Sequence, residues 1–140
     1  MTKWTNRSQA RLLMTSQEQT NLLVVPRMHL QQILFGELEL EHLYSVAGVF
    51  NIAAALANYR HLGELELVFD RAQATVAILI QELRKPTADE GAVITAAFNA
   101  ADRLIRKQKK PDLARAIAYV DRRIAQGDVV KPNRPIKAER

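Results

Sequence analysis

The segment spanning residues 37–60 constrains the fold most. It runs without a proline, and Leu40, Leu43, Tyr44, Ala47, Phe50, Ala54 and Ala57 fall at the three-and-four spacing of one helical face. Val46, Val49, Ala53 and Leu56 widen that face beyond a single stripe. A chain with such a segment must surround it. At 1.5 Å per residue it predicts a helix of roughly 30–35 Å, opened by Glu37, Glu39 and Glu41, which suit the positive end of its dipole.

The flanking punctuation predicts four more helices. Pro26 opens one over about 26–35, because its missing N–H has no helical partner in a first turn, and Gly36 stops it. After a turn at His61–Gly63, Leu67, Val68, Ala72, Val76, Leu79, Ile80 and Leu83 mark a face over about 64–85, ending before Pro86. Thr87 and Glu90 form a capping-box pattern before a helix over about 88–109, with Val93 or Ile94, Ala97, Phe98, Ala101, Leu104 and Ile105 inside. Pro111 and Gly127 bracket the last helix, about 111–126, with Leu113, Ile117, Val120 and Ile124 as its seam. No strand pattern competes. The expected fold is all-α: an antiparallel helical bundle of three long helices (about 37–60, 64–85 and 88–109), with the shorter helices (about 26–35 and 111–126) packed on it. Residues 1–20 are expected to form a loosely ordered arm or short helix, 21–127 one helical domain, and 128–140, with Pro132 and Pro135, a basic flexible tail.

Composition closes several routes to chemistry. At 140 residues and 48% hydrophobic content the chain has material for one core, and it has no cysteine. Disulfides, cysteine–zinc sites and a cysteine nucleophile are thereby excluded. Lys3, Arg7 and Arg11 interrupt the apolar run that a signal peptide needs, and the longest unbroken apolar stretch, 52–57, is far short of a membrane span. A cytoplasmic location without membrane contact is expected.

Catalytic patterns are thin. Ser8, Ser16 and Ser45 are the only serines, and none lies in a nucleophile elbow. The five glycines are isolated, so no phosphate-binding loop occurs. Glu39 and His42 have the Glu-x-x-His spacing of di-iron bundles, but such sites need a second pair, and none exists. No catalytic, cofactor-binding or metal residue is assigned, and no cofactor is expected.

Charge is the best functional lead. Residues 37–69 carry −4, whereas residues 91–140 carry +7, from twelve Lys/Arg against five Asp/Glu. Arg103, Arg106, Lys107, Lys109 and Lys110 gather at the end of one expected helix, and Arg115, Arg122 and Arg123 follow on the next. These eight are candidate contacts for nucleic acid or an acidic partner. Tyr119 is the only aromatic residue near them in sequence. The small residues around Ala47, Phe50, Ala54 and Ala57 allow close helix approach, either within one chain or in a homodimer.

Leu43–Ala57 with its Val-Phe-Asn-Ile-Ala-Ala-Ala-Leu-Ala core, Ala97–Asp102 (Ala-Phe-Asn-Ala-Ala-Asp) and Asp112–Ala116 (Asp-Leu-Ala-Arg-Ala) give the chain a pattern that resembles uncharacterised small helical proteins carried by proteobacterial phages, plasmids and integrated elements. The resemblance implies an accessory or regulatory protein of a mobile element. The leading expectation is a non-enzymatic protein that binds another protein or itself. The alternative is a nucleic-acid-binding regulator using the basic C-terminal third.

Overall fold

A computed structural model of the chain describes Gln17 and residues 20–127. The expected N-terminal arm, beyond Gln17 and Thr20, and the expected basic tail over 128–140 lie outside the described residues. The fold is all-α. A π-helical turn, Thr20–Val24, leads into α1 (Val25–Phe35), α2 (Leu40–Tyr59), α3 (Gly63–Glu82), α4 (Ala88–Arg106) and α5 (Lys110–Ala125). Short connections fold α1, α2, α3 and α4 back on one another in succession, whereas α5 packs on α2.

Helix α2 is the axis of the bundle, and all four other helices pack on it. That explains its width of apolar surface. Leu43, Val46, Val49, Phe50, Ala53, Leu56 and Ala57 are buried on several sides of the helix rather than along one stripe. With a mean hydropathy of 1.3 over its best window, α2 is long and apolar enough to cross a membrane by length and composition. Of that window 61% is buried inside the bundle, and the core helix of a water-exposed fold meets the same mark. The expected shortfall concerned an unbroken apolar run, whereas α2 intersperses small and weakly polar residues.

Phe98 of α4 joins the core to the surface. Its ring meets Phe50 edge-on, 6.3 Å between centroids, and the Arg27 guanidinium sits 4.7 Å from its own centroid. Arg27 also donates to Asn99 and Asp102 at 2.9 and 3.1 Å, which ties α1 to α4. Burying a ring of this size contributes about 1.5–3 kcal/mol, and the edge contact adds about 0.5–1.5 kcal/mol.

Local chemistry shifts several helix ends from their expected places. Helix α2 starts at Leu40 rather than 37. Glu39 is extended (φ −127°, ψ 153°), and its N–H donates to His42 Nδ1 at 3.3 Å in a capping box. Helix α3 ends at Glu82, ahead of Pro86, because Leu83 turns left-handed (φ 49°) and donates its N–H to Leu79. Its buried face is also rotated from the expected one. Phe69 is fully buried, whereas Leu67, Val68 and Leu83 are exposed. Helix α4 stops at Arg106, so Lys107 and Lys109 belong to the link before α5. Its start is as expected: Glu90 N–H donates to Thr87 Oγ1, and Thr87 N–H to Glu90 Oε1.

Candidate functional site

The end of α2 and the outer face of α5 enclose a groove of about 240 Å³, lined by Leu56, Tyr59, Asp112, Arg115, Tyr119 and Arg122 among others. Tyr59 is the last residue of α2, while Arg115, Tyr119 and Arg122 recur along α5 at spacings of four and three, which puts them on one face. The α5 seam below them, Leu113, Ala116 and Val120, is buried against the bundle and leaves that face outward.

Aromatic rings and guanidinium groups alternate here. The Arg115 Cζ lies 5.2 Å from the Tyr59 ring centre, and Arg115 also donates to the Tyr59 hydroxyl. Arg122 and Arg123 stand 5.9 and 5.6 Å from the Tyr119 ring centre, and Arg123 donates to its hydroxyl at 2.6 Å. Tyr59 is 54% exposed and Tyr119 39% exposed. Each ring thus carries a cation while keeping part of its surface open. Asp112 reaches Arg115 at 3.5 Å, the one carboxylate in the groove.

On the other side of Tyr119 the electrostatics reverse. A recess between α2, α3 and α5 is lined by Glu66, Asp70, Asn51, Gln73 and Arg123. Burial, and then the negative charge of Glu66, raise the Asp70 carboxyl above its ordinary value. Asn58 donates to both Glu66 oxygens, and Gln73 donates to Asn51. The recess on this side of Tyr119 thus holds two carboxylates, Glu66 and Asp70, where the groove holds one.

The eight basic candidates separate into different settings. Arg115, Arg122 and Arg123 join the tyrosines. Arg103 and Lys107 line a second cavity with Arg60. Arg106 pairs with Asp102, which also holds Arg27. Lys109 is exposed at the start of α5, and Lys110 is half-buried. Of the candidate interface residues, Ala47, Phe50 and Ala57 lie in the core of this chain, and Ala54 is half-buried beside the acidic recess. Their close-approach surface is used by α2's own neighbours.

Tyr59 and Arg60 are the residues that sequence reasoning missed. Tyr59 lies 56 positions from Arg115, and no local pattern links them. Among the described residues, no group of three or more His, Asp or Glu converges as metal ligands. Glu39 and His42 meet through helix capping, and the His42 ring packs 4.9 Å from His29. Comparison with protein families, curated proteins and solved structures gave no match.

Proposed function

We propose that this is a non-catalytic binding protein that takes single-stranded nucleic acid along the groove between α2 and α5. The observation that carries this reading is the alternation of two partly open tyrosine rings with Arg115 and Arg122 along the groove. Every base has a π-face, so exposed rings and guanidinium planes hold unpaired bases without needing a sequence code. The same arginines offer paired N–H donors to phosphate oxygens. A groove of about 240 Å³ suits unstacked bases better than a duplex. The mobile-element context implied by the sequence resemblance is compatible with such a role.

The test is a titration of labelled single-stranded DNA and RNA, with a duplex in parallel. Binding is expected at low salt, with log K falling linearly in log salt at about −0.7 per phosphate contacted. The duplex is expected to bind more weakly. Absence of single-strand binding at low salt would contradict the reading.

A protein partner, or self-association, is the second reading. It rests on Phe35, Leu67 and Met28, which are 78%, 66% and 61% exposed. Light scattering after size exclusion tests self-association. A concentration-dependent dimer supports it, and a monomer throughout the micromolar range excludes a stable one.

A further inference from the structure

A second cavity, of about 390 Å³, opens where the end of α2 meets the end of α4. Arg60 follows the last residue of α2, Arg103 lies in the last turn of α4, and Lys107 follows that helix. All three line the cavity, and Leu62 and Leu65 from the start of α3 supply apolar wall. None of its lining residues is acidic. Four arginines elsewhere meet carboxylates, Arg27 and Arg106 at Asp102, Arg84 at Glu82 and Glu90, and Arg115 at Asp112, whereas Arg71 and Arg122 make no ion pair among the described residues. Arg103 and Lys107 make no ion pair among the described residues.

The cavity is also braced. Gln108 is 1% exposed, one of two buried polar or charged residues among those described. Its Nε2 donates to the Leu104 carbonyl at 2.8 Å, and its Oε1 accepts from Arg60 Nη1 at 3.0 Å. The buried amide thus holds one face of the guanidinium and leaves its remaining N–H groups for another acceptor. Three like charges around a partly apolar hollow repel one another, and a compact dianion relieves that repulsion. A guanidinium fork beside an ammonium point charge matches the oxygens of a phosphoryl group. The volume falls within the range of about 300–1,000 Å³ typical of small-molecule sites, so there is room for the moiety that carries the phosphoryl group.

We propose that Arg60, Arg103 and Lys107 form a binding site for a phosphate-monoester dianion. The site is separate from the α2/α5 groove and does not depend on the reading given to that groove. The dianion comes either from a free small phosphate or from the phosphorylated end of a nucleic-acid strand.

The test is an NMR titration of the full chain with inorganic phosphate at constant ionic strength. Saturable shifts are expected around Arg60 and residues 103–108. Affinity should fall about tenfold in each of Arg103→Gln and Lys107→Gln, the loss of one charge-assisted hydrogen bond. Arg71→Gln removes an exposed charge outside the cavity and should leave affinity unchanged. All three substitutions are at exposed positions, and circular dichroism checks their folding. Displacement of phosphate by a 5′-phosphorylated strand, but not by its 5′-hydroxyl form, identifies the strand end as the source. Displacement by ribose 5-phosphate alone identifies a free small phosphate monoester, and displacement by neither compound would overturn the proposal. Shifts that never saturate, or equal losses in Arg71→Gln and Arg103→Gln, would overturn the proposal.

Discussion

The guanidinium of Arg115 lies 5.2 Å from the ring centre of Tyr59 and donates to its hydroxyl, joining the middle of α5 to the last residue of α2. Both side chains are on the surface, so the contact contributes only about 0.5–1 kcal/mol to stability. Its larger consequence is a flat cationic plane held against a ring. Arg115→Lys keeps the charge but loses the plane. It is expected to leave thermal stability within about 1 kcal/mol of the parent and to weaken single-strand binding several-fold. Thermal denaturation and anisotropy titration of the same preparation check both parts.

The start of α4 should make the fold acid-sensitive. Two guanidinium hydrogen bonds from Arg84, and a further one from the Thr87 N–H, hold the Glu90 carboxyl down at about 2, against an ordinary 4.5. Between those values the unfolded chain takes up a proton that the folded chain does not. Stability from Glu90 is therefore full above about pH 4.5, falls as pH drops towards 2, and is gone below that. In Glu90→Gln this contribution to the acid dependence should disappear. Urea denaturation of both proteins across pH 2–6 measures it, and parallel curves would contradict the assignment.

Thr87→Ala tests the same cap at neutral pH. It removes the acceptor for the Glu90 N–H and should cost about 1 kcal/mol, read as a lower denaturation midpoint with an unchanged slope.

Leu83 sits left-handed at the end of α3 and is 59% exposed. A side chain there is strained by about 1–2 kcal/mol, and little packing offsets it. Leu83→Gly relieves the strain but makes the unfolded chain more flexible. A net gain of about 0.5–1 kcal/mol is expected in denaturant titration.

The helical periods carried most of the fold. Ile94, Ala97, Phe98, Ala101, Leu104 and Ile105 are all buried as their spacing predicts. Errors arose where side chains compete locally. The adjacent apolar pair Leu67–Val68 fits either phase of α3, and only packing against α2 and α4 selects Phe69 instead. Leucine is an unusual left-handed cap, so Pro86 looked like the natural stop. Glu39 and His42 read as a metal-like spacing because a capping box uses the same interval. Of the two candidate sites, the cations of α4 and α5 were legible as a charge run. Their division was not, because it depends on Tyr59 and Arg60. Those two residues lie in the acidic half of the chain, and only folding brings them to the basic one.

The most direct test of the groove is the affinity of a single-stranded oligonucleotide for the full chain against Tyr59→Ala and Tyr119→Ala, singly and combined, at one low salt concentration. Each ring that stacks a base is expected to contribute about 1–3 kcal/mol, so each substitution should weaken binding by roughly 5- to 150-fold while the salt slope stays nearly constant. Unchanged affinity in the double variant, with its helical content intact, would contradict the account.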